Sequence, residues 1–308
     1  MRIICLASIL LVAASAPAPA QELARWTVRG HLPREQFIVQ AHRGAGELAE
    51  ENTREAFELG WELGCIPEAD VRTTKDGVIV AFHDADFARV VRGVSPEMAK
   101  KGVKDLSFAE LQALDVGSWK GEKFSGRKVG RLKDTFGLMR DDPARRLYLD
   151  IKQVDLQKLA AEVQEAGVAR QVILASTKDE IVKRWKELLP ESRTLLWMGG
   201  TEAVLNGRFE KLRAANFAGV DQVQIHTHLA RPAEEIRADT PNPFQESDAF
   251  LSARCDELRQ HNILVQTLPY GGTTPEIYTK LLDLGFMSFA TDHPEVTWAA
   301  VNRYYDRK

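Results

Sequence analysis

The sequence predicts an α/β fold, a (β/α)8 TIM barrel with an insertion on its rim after the second strand. Three observations predict it. From Ile38 onward, short apolar runs alternate about eight times with helix-length amphipathic segments, the pattern of a parallel sheet with helical crossovers. The alternation is uninterrupted and carries no Gly-rich phosphate loop, which favours closure into a barrel over an open doubly wound sheet. Polar residues gather where the apolar runs end, and barrels of this kind place their reacting groups at the C-terminal ends of the strands.

The elements follow in order. Residues 1–20 read as an export signal: Arg2 supplies the positive start, Ile3 to Val12 the apolar stretch and Ala18-Pro19-Ala20 a small-residue cleavage site before Gln21. Cys5 lacks the small residues that lipid attachment needs before it. The expected mature chain is residues 21–308, a single barrel domain, periplasmic or secreted, with no integral membrane segment because no later run approaches the ~20 apolar residues of a membrane span. The strands are expected at Ile38 to His42, Ile66 to Val71, Arg146 to Ile151, Val172 to Ala175, Thr194 to Met198, Gln222 to His226, Ile263 to Thr267 and Ser288 to Thr291. Helices are expected at Asn52 to Leu63, Asp155 to Ala166, Lys178 to Leu188, Ala203 to Ala215, Glu246 to Gln260 and Pro275 to Leu284. Asn52, with Glu55 three residues on, is the expected cap of the first helix, and Thr274 before Pro275 that of the last. Asp76-Gly77 marks a hairpin turn into a short extended run, Val78 to Phe82. The insertion spans about residues 85–131, with one good helix at Ser107 to Leu114.

Bulk properties narrow the partners. The formal net charge is −3, or −4 once Arg2 leaves with the signal, and no basic stretch points to nucleic acid. A small-molecule substrate is expected, and the oligomeric state is not read. After cleavage two cysteines remain, Cys65 and Cys255. They can form one disulfide in an oxidising compartment, but two residues make no framework and show no metal-ligand spacing, so two buried thiols are expected.

Chemistry concentrates at the strand ends: His42-Arg43-Gly44, Glu68-Ala69-Asp70, His83-Asp84, Asp150-Ile151-Lys152 and Thr291-Asp292. Glu68 and Asp70 are two apart on a strand, so both point to one face, and Asp150 ends the next barrel strand. Carboxylates crowded into a low-dielectric interior are costly unless something compensates. Three oxygen ligands with no cysteine or histidine at matching spacing suit Mg²⁺ or Ca²⁺; the alternative is pairing with Arg or Lys at the rim. His42 and His83 each follow an apolar strand and together offer a general acid and a general base, although either alone can be structural. Arg43 and Lys152 can hold the non-bridging oxygens of a phosphate or simply neutralise the neighbouring acids. His226 and His228 read as pocket or surface histidines, Gly271-Gly272 as a loop or a phosphate nest, and Trp119 as a pocket or packing residue.

The set His42-Arg43-Gly44, Glu51-Asn52-Thr53 with Ala56-Phe57, Glu68-x-Asp70-Val71-x-x-Thr74-Lys75-Asp76-Gly77 and Val80-x-x-His83-Asp84, closed by Thr291-Asp292-His293-Pro294, resembles the glycerophosphodiester phosphodiesterase signature. The resemblance covers Ile38 to Pro294. It implies metal-dependent hydrolysis of glycerophosphodiesters to glycerol 3-phosphate and an alcohol, with His42 and His83 as the acid and base pair. Arg43 would then bind phosphate with Lys152 nearby, and Glu68, Asp70 and Asp150 would hold the metal. The chain departs from the family at Asp150, commonly glutamate, at Phe87 to Arg92 in place of an Arg-Thr-Thr run, at Val129 to Leu132, and at Val265 to Thr267, where a tryptophan is common. Two alternatives remain: a sphingomyelinase-D-like or phosphoinositide lipase-like barrel with a cyclic phosphate product, and a noncatalytic barrel that captures a phosphorylated ligand.

Overall fold

A computed structural model describes residues 26–307. The expected export signal at residues 1–20 lies outside the described residues. Nine strands form one sheet: β1 Ile38–Ala41, β2 Ile66–Thr73, β3 Ile79–Ala81, β4 Leu147–Gln153, β5 Val172–Ser176, β6 Arg193–Met198, β7 Gln222–His228, β8 Leu264–Tyr270 and β9 Ser288–Thr291. All but β3 run parallel, and β1 closes the ring by pairing with β9 at Ile38↔Ser288 through Ala41↔Thr291 and with β2 at Gln40↔Ile66 and Ala41↔Pro67. This is the expected eight-stranded barrel, and β3 is the expected hairpin partner of β2, antiparallel at Val71↔Ala81.

Period-two alternation sorts each strand between two environments. On β2, Ala69 and Val71 join the apolar layer beneath the helices; on β4, Leu147 and Leu149 do the same. The alternate residues, Glu68 and Asp70 on β2 and Tyr148 and Asp150 on β4, form the other face, and the register sets Glu68 beside Tyr148 and Asp70 beside Asp150. The barrel's middle is filled partly by apolar Tyr148, Ile173 and Leu195 and partly by a hydrogen-bonded set of amides. Tyr148 Oη donates to Gln222 Oε1 at 2.8 Å and Gln266 Nε2 to Ser288 Oγ at 2.8 Å, which pairs most of the buried polar groups there and leaves Gln222 Nε2 without a partner.

Several boundaries differ from the sequence reading. Thr53, not Asn52, caps helix Arg54–Glu62, its Oγ1 accepting from Ala56 N at 3.2 Å. Asn52 instead adopts a left-handed backbone (φ 58°), which frees its side chain for β2. Thr274 takes the cap's backbone position before Pro275, but its buried Oγ1 makes no cap bond. Helices Leu132–Arg140 and Pro294–Tyr305 were not expected; Thr297, Ala300, Val301 and Tyr304 are the buried stripe of the second. Cys65 and Cys255 are free, buried thiols. Among the described residues no helix is long and apolar enough to cross a membrane.

The segment after β3 has a small core of its own, with Phe87, Val91, Val103, Leu106, Leu111 and Val116 packed on Val80 and Phe82. Its helix Phe108–Ala113 carries a capping box: Ser107 Oγ accepts from Glu110 N at 3.3 Å and Ser107 N donates to Glu110 Oε2 at 2.8 Å. Asp76 in the hairpin turn accepts from Phe108 N at 3.0 Å, which ties this helix to β2 and β3. A second short helix, Pro96–Ala99, adds to the single helix read from the sequence.

Candidate active site

The three acids meet. Glu68, Asp70 and Asp150 each offer an oxygen within 4.8 Å of the others, because β2 and β4 are in register and all three share the inner face. Asn52 fixes Asp70 from both ends, donating from Nδ2 to Oδ2 at 2.7 Å and accepting from Asp70 N at 2.9 Å. Arg43, also left-handed (φ 53°), donates its backbone N–H to Glu68 Oε2 at 2.8 Å. Lys152 Nζ lies 2.7 Å from Asp150 Oδ2 and 3.1 Å from Asp70 Oδ1. Trp197 Nε1 donates to Asp150 Oδ1 at 3.2 Å.

Electrostatics separates these acids. Burial raises the Glu68 carboxyl well above the usual range, and the charges of Asp70 and Asp150 add to it. Asp150 is raised too, by burial against the opposing pull of Lys152. Burial acts the same way on Asp70, but Lys152, His83, Arg43 and the Asn52 bond outweigh it and leave Asp70 lowered. Lys152 and Arg43 thus leave carboxylate charge in excess, on an all-oxygen donor set. That combination fits a hard divalent cation. Glu51, His83 and Asp84 also lie within 4.8 Å of one another, but the Arg89 guanidinium already bridges both of those acids.

Both predicted histidines border the acids, and each has a carboxylate on Nδ1. His42 Nδ1 is 2.7 Å from Asp292 Oδ1, and His83 Nδ1 is 2.6 Å from Asp84 Oδ1. Burial works to raise both aspartates; the His42 bond and charge nevertheless hold Asp292 low, and Arg89 and His83 hold Asp84 low. With Nδ1 held, Nε2 is the nitrogen left in each ring to exchange a proton. Arg72 clamps the backbone at His83, Nη2 donating to His83 O at 2.7 Å and Nε to Phe82 O at 3.1 Å. Asp84, Asp292, Arg72, Glu51 and Arg89 were given no role from the sequence, although Asp84 beside His83 and Asp292 at the end of a strand carried a positional signal and Glu51 stood in the signature.

His42, Arg43, Glu68, His83, Asp150 and Lys152 line one cleft of about 100 Å³. His42 and Arg43 also border a second lobe of about 240 Å³ closed by Glu47, Asp292 and, from the insertion, Trp119 and Lys120. In the same cleft stands His226, stacked on Trp197 (4.7 Å between centroids, 8° between planes), its Nε2 donating to Gln224 Oε1 at 2.7 Å and its Nδ1 3.3 Å from Tyr270 Oη. Burial, then the charges of His42 and His228, push the His226 imidazole down to about 3, so it is a neutral wall. His228 stacks on Tyr270, and Gly272 O accepts from Tyr278 Oη at 2.8 Å in the loop read as a possible nest. The two larger recesses, about 1000 and 750 Å³, lie at the strand starts and among the outer helices and bring no such set together.

A model of the glycerophosphoryl diester phosphodiesterase family matches residues 42–296, from the first candidate histidine to just beyond the last strand. The chain belongs to that family. Family membership accounts for the segmental motifs and for the barrel. A glycerophosphodiester phosphodiesterase of Caldanaerobacter subterraneus subsp. tengcongensis is 32% identical over 160 residues, 50% of this chain and 63% of that protein. One from Bacillus subtilis is 24% identical over 285 residues, 86% of each. The alignment thus spans under two thirds of the first relative's length. Among solved structures, a glycerophosphodiester phosphodiesterase from Agrobacterium tumefaciens superposes with a TM-score of 0.61 at 22% identity, covering 85% of this chain and 99% of that one. A phosphodiesterase of Oleispira antarctica, solved with the product sn-glycerol-3-phosphate, gives 0.64 at 20% identity over 86% and 96%. Both likenesses concern the fold.

Proposed function

We propose that the chain is a metal-dependent phosphodiesterase that hydrolyses glycerophosphodiesters to glycerol 3-phosphate and an alcohol. One observation carries the reading: two carboxylate-held histidines and three acids surround one cleft that Arg43 and Lys152 also line. The names of the family and of its relatives support the same chemistry. The small lobes, about 100 and 240 Å³, suit a compact water-soluble diester better than an acyl chain.

In this reading Glu68, Asp70 and Asp150 hold Mg²⁺ or Ca²⁺, which supplies Lewis acidity toward a phosphoryl oxygen when bound. Arg43 and Lys152 balance the charge that grows on the non-bridging oxygens. One histidine takes the proton of the attacking hydroxyl as the new P–O bond forms. The other gives its Nε2 proton to the leaving alcohol oxygen as the old P–O bond breaks. Asp292 and Asp84 keep both rings oriented and stabilise the imidazolium that results. The attacking hydroxyl belongs either to water or to the substrate's own glycerol, the second giving a cyclic phosphate that water then opens.

The deciding experiment offers purified protein a panel of glycerophosphodiesters and lysolipids and identifies the phosphorus product by NMR. Release of glycerol 3-phosphate supports the proposal. An accumulating cyclic phosphate from a lysolipid replaces it with a lipase-like reaction, and binding without turnover replaces it with ligand capture. His42→Ala and His83→Ala should each lower kcat by roughly 10²–10⁴-fold, and undiminished turnover in either rejects its role. We propose as well that residues 1–20 direct export, with cleavage before Gln21; N-terminal sequencing of the mature protein tests it, and an N-terminus at Met1 excludes it.

A further inference from the structure

Arg89 sits in the segment after β3, outside the barrel, yet its guanidinium bridges two acids that hold cleft residues. Nη1 and Nη2 donate to the two Glu51 oxygens at 2.8 and 2.6 Å, while Nε and Nη2 donate to the two Asp84 oxygens at 2.7 and 3.1 Å. The indole of Trp119 lies against it at 5.3 Å. Each acid has a second duty. Asp84 Oδ1 holds His83 Nδ1 at 2.6 Å, and Glu51 Oε2 accepts from Arg43 Nη1 at 3.1 Å. One planar cation therefore joins a histidine and an arginine of the cleft by two equivalent steps: His83 to Asp84 to Arg89, and Arg43 to Glu51 to Arg89.

We infer that Arg89 is a positioning residue through which the insertion fixes His83 and Arg43 together. The inference rests on the roles given to those two residues above and adds a function for the insertion. The Arg89 side chain is 40% exposed, which screens its attraction, but those of Glu51 and Asp84 are only 13% and 17% exposed, so the repulsion between the two acids is screened less than that of surface charges. Without a cation between them, Glu51 and Asp84 repel each other beside His83, and one must turn away from its partner. Lysine cannot substitute, because a point charge does not make two parallel bonds to each of two carboxylates.

Kinetics and a spectrum test this. Arg89→Ala should lose kcat/KM by on the order of 10²-fold, the usual cost of misplacing a reacting group by about an ångström. Arg89→Lys should fall nearly as far, and added guanidinium chloride at low millimolar concentration should restore activity to Arg89→Ala but not to Arg89→Lys. Glu51→Gln should act mainly on KM, through Arg43, and Asp84→Asn mainly on kcat, through His83. Placed on Arg89→Ala, each should add little, because the shared link is already broken. Histidine ¹⁵N spectra should show His83 protonated at Nδ1 in the wild type and this signature lost in Arg89→Ala. Wild-type kinetics in Arg89→Lys, full multiplicativity of the double variants, or an unchanged His83 signature in Arg89→Ala would each overturn the inference. A wild-type protein that turns over no phosphodiester rejects the proposed function instead, and the His83 spectrum still decides this point.

Discussion

Trp197 does at residue scale what the short Asp150 needs. Asp150 stands where the family commonly has glutamate, and its carboxylate is steadied from two sides, by Lys152 on Oδ2 and by the Trp197 indole on Oδ1. Hydrogen bonds to a ligand from outside the coordination shell typically contribute 10–100-fold to metal affinity. Trp197→Phe keeps the ring stacked on His226 and removes the N–H, so it should weaken Mg²⁺ or Ca²⁺ binding by roughly that factor with an unchanged melting temperature of the chelated protein. Calorimetric titration measures it; equal affinities would show that Lys152 alone orients Asp150. His226 supplies a second test. Its imidazole is held down near 3 by burial first and by the cations around it second, whereas in the unfolded chain it titrates near ~6.5. Between those values the unfolded state binds the extra proton, so the neutral ring's contribution is complete above the unfolded value and is lost as pH falls toward 3. The slope from this one group reaches about 1.4 kcal/mol per pH unit. Urea melts of wild type and His226→Gln between pH 7 and 4.5 should therefore converge as the pH falls, and parallel curves would contradict a neutral His226.

At the scale of elements, the loop after β1 is built against the end of β9. Gly46 is left-handed (φ 60°), and a Cβ there would stand 2.3 Å from the carbonyl oxygen of Asp292, the residue that holds His42. Gly46→Ala must move one of the two backbones. The expected result is a stability loss of about 1–3 kcal/mol together with a kcat drop larger than that of an equally destabilising change elsewhere. Steady-state kinetics well below the melting temperature separate the two effects, and an unaltered kcat would show that β9 yields without disturbing His42. The same loop shows what was legible in the sequence. Strand positions were readable because buried parallel strands are apolar runs, and a period of two put Glu68 and Asp70 on one face; that this face is the inner one, shared with Asp150, comes from the barrel's register. The structure brings His42, His83, Glu68 and Asp150 to one cleft, with Asp70 against the other two acids. The cap at Asn52 was misread because a short amide looks the same in sequence whether it bonds to its own helix or, as here, to Asp70 on the neighbouring strand. Arg89 was passed over for a related reason: it lies in a segment with no periodicity, and although Asp84 is close in sequence, Glu51 is 38 residues away and meets it only in the folded chain.

For the whole molecule, the cleft is an electrostatic strain on the barrel that a bound cation would relieve. Glu68 is raised by burial and by two neighbouring acids, so between its ordinary range and that raised value the folded chain holds a proton the unfolded chain has released. Its contribution to stability is then greatest below the ordinary glutamate range and is lost as pH rises through the raised value, the opposite sense to His226. At neutral pH in chelator, Glu68→Gln should accordingly be more stable than wild type, a gain made at the expense of function. Divalent cation should reverse the ranking. A ligand that binds only the folded state at 100 times its Kd adds about 2.7 kcal/mol, or roughly 5–10 °C in a domain of this size. Thermal melts with Mg²⁺ or Ca²⁺ against EDTA should show that rise in wild type and none in Glu68→Gln combined with Asp150→Asn. A rise of equal size in the double variant would place the cation elsewhere on the barrel. No rise in wild type, with Glu68→Gln no more stable in EDTA, would mean that Lys152 and Arg43 already satisfy the acids and that the three carboxylates serve as their counter-ions.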